Sequence, residues 1–148
     1  MLKNLLIKSS AFEINTKIPS KYTCDGDDIN PPLTFEGVPK EAKTLVLIVD
    51  DPDAPRGTFD HWVVWNIPAS ISKIEENNAS SRIEGLNGSG KAGYFGPCPP
   101  SGTHRYFFKV YALDTSLSLG AHSRKKDVEV AMEGHVLAKG ELIGLYRR

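Results

Sequence analysis

The chain has 148 residues, in which 18 lysines and arginines balance 18 aspartates and glutamates. That length fits one domain, residues 1–148, and lets roughly 70% of the unfolded surface be buried, enough for a core without staples. Zero formal net charge excludes an overall field that would draw the chain to nucleic acid or an anionic membrane, so any anion binding is local.

Met1 to Ile7 is too short an apolar stretch for a signal-peptide core, and no window approaches a membrane span, which predicts a cytoplasmic protein without membrane insertion. In that compartment Cys24 and Cys98 are expected as free thiols. Leu5 to Lys8 and Leu33 to Phe35 are short strand candidates. Thr44 to Asp50 is a continuous apolar run rich in β-branched residues and ended by Pro52, the pattern of a strand buried on both faces. His61 to Ile67, stopped by Pro68, is a second strand, and His104 to Leu113 a third. Residues 70 to 102 are rich in Gly, Asn, Ser and Pro and predict a long loop, ordered toward its end by aromatic and proline content. One helix is predicted, capped by Asp127, with Val128, Ala131, Met132 and Val136 as its apolar stripe and Gly140 as its end. A second, short helix is placed near Lys125, and Leu142 to Tyr146 is available to close a sheet. The fold expected is β-dominated.

Two stretches concentrate ionisable groups where stiff loops meet strands: Asp51-Pro52-Asp53-Ala54-Pro55, and Gly96-Pro97-Cys98-Pro99-Pro100-Ser101-Gly102-Thr103-His104-Arg105-Tyr106. Strand alternation puts His104 and Tyr106 on one face and Arg105 on the other. Asp51 follows the end of its strand, whereas His61 and His104 each open one. Antiparallel pairing with the first strand would bring all three to one end of the sheet. Each residue also has a plain structural use, since Asp51 or Asp53 can form an Asx-turn and a strand histidine can be a satisfied structural residue. Arg105 is expected to pair with an aspartate of the first loop. His122 and His135 are not assigned to the site, His135 being placed within the helix.

These residues resemble the phosphatidylethanolamine-binding proteins, specifically their small prokaryotic members, also called Raf-kinase-inhibitor-like proteins. The resemblance runs through Tyr22-Thr23-Cys24-Asp25-Gly26, Asn30-Pro31-Pro32-Leu33, the Asp-Pro-Asp-Ala-Pro box, His61 to Pro68, and Gly96 through Tyr106. It implies an antiparallel Greek-key β-sandwich with a small anion pocket at one end for phosphate-like or phospholipid head groups. Carried over by position, Asp51, His61, His104 and Tyr106 resemble the family's pocket side chains, and Ala54, Pro55, Gly96, Pro97 and Pro99 match its pocket-lining loops. A cis Ala54–Pro55 bond and a homodimer are also implied, against a base rate of about 5% for cis X-Pro. Two features depart from eukaryotic relatives: Phe59 stands where they carry tryptophan, and their C-terminal helix has no counterpart after Tyr146.

The same residues admit other readings. Gly85 to Lys91 has the glycine and lysine spacing of a P-loop, but Ala92 stands where Ser or Thr must hold magnesium. Gly-x-Ser-x-Gly and His-Glu-x-x-His signatures are missing. Two histidines and a carboxylate match the facial triad of non-haem iron sites, although the family resemblance favours an anion and no cofactor or metal. A hydrolase or isomerase using Asp51, His61 and His104 is the enzyme-class alternative to a non-enzymatic binding protein. A protein-interaction module that inhibits a kinase or protease is the third.

Overall fold

The computed structural model describes residues 2–78 and 83–148. Its strands, in chain order, are β1 (Lys3–Asn4), β2 (Leu6–Lys8), β3 (Thr16–Lys17), β4 (Leu33–Glu36), β5 (Thr44–Asp51), β6 (Phe59–Pro68), β7 (Lys73–Ile74), β8 (Ile83–Glu84), β9 (Thr103–Leu113) and β10 (Val136–Arg147). Helix α1 (Lys125–Met132) lies between β9 and β10, and a 3-10 turn covers Ser20–Tyr22. The large sheet has the order β1-β10-β9-β5-β6-β8, with β3 beside β10, and the small sheet has the order β2-β4-β7. Strand β5 is central and antiparallel to both β6 and β9.

Side-chain alternation explains why β5 reads as an unbroken apolar run. Leu45, Leu47 and Val49 face the small sheet, in one core cluster with Trp62, Val64, Tyr106, Phe108, Ile7, Leu33, Phe35 and Ile74. Val46 and Ile48 face the other way, into a second cluster with Val63, Trp65, Leu117 and, from α1, Val128 and Met132. Each large side chain removed from water in this way stabilises the fold by about 1.5–3 kcal/mol. Both sheet faces are therefore covered at β5, which fixes the strand that carries Asp51 at its end.

The edges depart from the antiparallel expectation, because β1 and β3 run parallel to β10. The chain leaves the large sheet after β1 and joins the small one at β2, with the Leu5 N–H donating to the Lys139 carbonyl at the crossover. A Cβ on Gly140 would lie 1.9 Å from the Leu5 carbonyl oxygen, so this crossing needs glycine. Gly140 thus sits inside a strand rather than ending a helix.

The helix expectation is corrected accordingly. The segment near Lys125 and the Val128–Met132 stripe form one short helix, with Asp127 accepting from the Arg124 N–H at 2.9 Å. It ends before Gly134, whose φ of +80° suits glycine. Val136 begins β10, the longest strand among the described residues, and His135 lies in the turn before it, paired with Asp114 at 2.8 Å.

Candidate functional site

Asp51 ends β5, and the antiparallel neighbours β6 and β9 start at the same end of the sheet, with Asp51 opposite Phe59 and Asp50 opposite Phe107. His104 and Tyr106 share the face of β9 that carries Phe108 toward the core. His61 reaches them by an irregularity. Val49 pairs with Trp62 but Asp50 pairs with Asp60, leaving His61 as an extra residue in β6. Strict alternation would turn His61 away from the face that Trp62 occupies, and the bulge re-aims it. Its ring then stands edge-on to Tyr106 at 5.2 Å between centroids, beside Phe59 and Phe95.

These groups floor a cavity of about 260 Å³ lined by Asp51, Ala54, Pro55, Phe59, His61, Phe95, Cys98, Pro99, Pro100, His104 and Tyr106. That volume is below the range of drug-sized pockets, roughly 300–1,000 Å³, and suits a compact group. The polar side chains lie at the bottom of an otherwise aromatic and proline-rich wall.

The hydrogen bonds define what each group presents. His104 Nδ1 lies 2.7 Å from Asp51 Oδ2, and the other Asp51 oxygen accepts from the Asp53 N–H at 2.7 Å. Both carboxylate oxygens are thus engaged, and Asp51 orients His104. A carboxylate can only accept, so His104 Nδ1 carries the proton and its Nε2 is the working atom. His61 Nδ1 bonds the Phe95 carbonyl, which fixes the same tautomer there. Burial pushes the His61 imidazole below its usual value, against the opposing effects of the Phe95 bond and the Asp51, Asp50 and Asp60 carboxylates. His61 is therefore a neutral ring at neutral pH, with an accepting Nε2. Tyr106 is fully buried, and its hydroxyl has no hydrogen-bond partner of good geometry among the described residues. Burial first, then the Asp51 charge and hydrogen bonding to that carboxylate, push this phenol well above its ordinary pKa, which keeps it a donor. Among the described residues no group of three His, Cys, Asp or Glu side chains is placed to hold a metal ion.

The loops meet some sequence expectations and correct others. Arg105 pairs with Asp53 through Nε at 2.9 Å and Nη2 at 2.8 Å, while its N–H also donates to that carboxylate. The Arg105 bond holds the Asp53 carboxyl down at about 2. Ala54–Pro55 is trans rather than cis, as are the peptide bonds of the other described residues. The Gly57 N–H donates to the Ala54 carbonyl at 3.2 Å, so Pro55 takes the second position of a tight turn, where a trans proline is preset. Cys24 and Cys98 are bonded to each other, with Cα atoms 5.4 Å apart, and are not free thiols. The thiol expectation rested on compartment alone, whereas the fold packs these distant loops together.

Gly96 and Pro97 do not line the cavity but support its wall from behind. A Cβ on Gly96 would lie 2.2 Å from Asp28 Oδ1, and the Pro97 carbonyl accepts from the Cys24 N–H at 3.1 Å. Phe95, Cys98 and Pro100 line the cavity without having been singled out. Their one sequence signal is position, on the same Pro-rich loop as Pro99. The P-loop-like segment is a turn closed by Asn87, whose side-chain oxygen accepts from the Ser89 N–H at 2.9 Å.

The chain is similar to known proteins over almost its whole length. A Methanothermobacter thermautotrophicus protein named UPF0098 is 55% identical over 96% of this chain and 98% of its own. A Chlamydia trachomatis protein crystallised as a phosphatidylethanolamine-binding protein homologue superimposes with a TM-score of 0.95 at 43% identity, covering 99% of both chains. Escherichia coli YbcL, described as a member of the mammalian family, superimposes with a TM-score of 0.90 at 28% identity over 98% of this chain and 99% of its own. The family model described as phosphatidylethanolamine-binding protein matches residues 8–147, so the chain belongs to the phosphatidylethanolamine-binding protein family.

Proposed function

We propose that the cavity at the end of β5, β6 and β9 binds a compact phosphate-like oxyanion, free or as the head group of an ester or lipid, and that the protein acts through this binding rather than as an enzyme. The observation that carries the reading is the convergence of His61, His104 and Tyr106 on one compact cavity, with the Tyr106 hydroxyl kept a donor beside Asp51. A buried donor in imperfect geometry gains when an incoming acceptor completes its bonding. The Asp51 charge opposes an anion, and a His104 imidazolium formed with the ligand and held by Asp51 at Nδ1 offsets it.

Neutral His61 presents an acceptor, so the oxyanion that fits best carries a proton of its own. Its hydroxyl donates to His61 Nε2, while its other oxygens accept from Tyr106 and from His104 Nε2–H. A phosphate monoester, with a second ionisation near about 6, has this form in mildly acidic solution. Binding is favoured over thiol chemistry because the one sulfur in the lining, that of Cys98, is bonded to Cys24. The cavity itself selects no kinase or protease, and the reading stops at the small ligand.

Calorimetric titration with inorganic phosphate at pH 6 and pH 8 tests it, on the wild type, His104→Ala and Asp51→Ala. The reading expects one site, tighter binding at pH 6, and loss of affinity in both folded variants. Equal affinity in wild type and variants would remove the cavity as the site.

A further inference from the structure

The Cys24–Cys98 bond lies where it can govern the cavity. It joins two segments that lack helix or strand, residues 23–28 and 93–102, which are 74 positions apart at the cysteines. Cys98 lines the cavity beside Pro99 and Pro100. Apart from the covalent link, the wall is held to the first segment by Cys24 N–H to the Pro97 carbonyl at 3.1 Å and Gly96 N–H to Asp28 Oδ1 at 2.8 Å, and to the turn before it by Tyr94 OH to the Tyr22 carbonyl at 2.7 Å. On its other side the wall is bonded to His61, both through the ring and by the Phe95 N–H to the His61 carbonyl at 2.9 Å. The position of the wall therefore sets the tautomer of a cavity histidine.

We infer that the Cys24–Cys98 pair is a redox control on this oxyanion site: a dithiol reductant opens the bond, releases the wall and lowers ligand affinity, and oxidation restores it. The inference rests on the reading of the cavity as an oxyanion site. Both sulfurs belong to half-buried residues, within reach of a reductant. Arg148 Nη1 lies 3.3 Å from Cys98 Sγ, and its Nε lies 3.4 Å from Asp25 Oδ1, which holds the guanidinium there. A cation at that place makes Cys98 the better leaving thiolate.

One thiolate of the dithiol attacks Cys24 Sγ. The Cys24–Cys98 bond breaks, and its electron pair leaves on Cys98. The second thiolate of the dithiol then attacks the mixed disulfide, closing the reductant's own disulfide and expelling Cys24. Two electrons and two protons pass to the protein, giving two thiols. The wall loses its covalent tie to the first segment and keeps only hydrogen bonds, so the loop that carries Phe95 and sets the His61 ring is no longer held in place. A loosened wall disfavours the ligand.

The test titrates inorganic phosphate into the oxidised protein, into protein reduced with dithiothreitol and desalted without oxygen, and into the same sample reoxidised. Hydrogen exchange is followed over residues 93–102. The expected result is an affinity at least about tenfold lower on reduction and recovered on reoxidation, faster exchange confined to the wall, and a Cys24→Ser variant that binds like the reduced protein and ignores dithiothreitol. Equal affinity in the two states would overturn the redox control while leaving the cavity reading intact. Global exchange or unfolding on reduction would overturn it too, because the bond would then be a staple for the fold. Failure of the oxidised protein to bind phosphate would remove the cavity reading and this control together.

Discussion

Replacing Tyr106 with phenylalanine separates a ligand-binding hydroxyl from a structural one, because the two readings predict opposite signs. The Tyr106 oxygen is buried beside Asp51 without full hydrogen-bond geometry, and an unsatisfied group costs at most on the order of 1–3 kcal/mol relative to a satisfied one. Tyr106→Phe removes that cost, offset by the small void left by one oxygen, so the free protein should be unchanged or more stable by about 1 kcal/mol. For a chain of this length that corresponds to a rise in melting temperature of about 2–4 °C. With phosphate bound, the variant loses a hydrogen bond to a charged group, about 1.5–3 kcal/mol, or roughly 10- to 150-fold in affinity. Urea denaturation of the free proteins and calorimetric titration with phosphate measure both quantities. A variant that loses more than about 1 kcal/mol of stability while binding phosphate as well as the wild type does would refute the reasoning.

Three further outcomes follow from the same contacts. His61 is held below its usual pKa by burial, so the unfolded chain takes up a proton before the folded one does. The stability contributed by the neutral ring is complete above about 6.5 and is lost as pH falls from there toward the folded value; urea midpoints between pH 8 and pH 5 should show this slope, and His61→Gln should flatten it. Arg105→Ala should cost at most about 1 kcal/mol, since the Arg105 and Asp53 side chains are 53% and 29% exposed and solvent screens the pair. With Asp53 lowered from 3.8 to about 2, that contribution is present above about 3.8 and disappears as pH falls through 2, which acid titration of the variant against wild type checks. Gly140→Ala places a Cβ 1.9 Å from the Leu5 carbonyl and should cost about 1–3 kcal/mol, with hydrogen exchange at Leu5 rising more than at β5; unchanged exchange there would contradict the crossover account.

Strands β5, β6 and β9 were legible because each is a run of β-branched and aromatic residues ended by proline or a loop. Their antiparallel order made the meeting of Asp51, His61, His104 and Tyr106 legible as well. The bulge at His61 was not, since it exists only in the pairing of β5 with β6 and leaves no mark on the residues of β6. Of strand β10 only Leu142 to Tyr146 was legible, and its glycines hid the rest. Gly140 and Gly144 dilute its pattern, yet they are there for tertiary contact: a Cβ on Gly144 would meet Ile18 at 2.5 Å and Phe12 at 2.8 Å. Val136 in turn continued the apparent stripe of α1 and drew the helix too long. The disulfide was out of reach for a different reason, because only the packing of residues 22–28 against 94–99 brings the two cysteines together. The engagement of both Asp51 oxygens, which makes that residue an orienting group, likewise depends on the path of the backbone through Asp53.

The central claim is that His61, His104 and Tyr106 converge on one oxyanion through their outward atoms. Nitrogen-15 spectra of the imidazole rings, recorded near pH 6 with and without inorganic phosphate, test it most directly. The account predicts two rings protonated at Nδ1 in the free protein, and on adding phosphate a protonation shift at His104 Nε2 together with a hydrogen-bonding shift at His61 Nε2, both saturating at one equivalent. Rings protonated at Nε2 in the free protein, or phosphate-induced changes confined to His122 and His135, would contradict it.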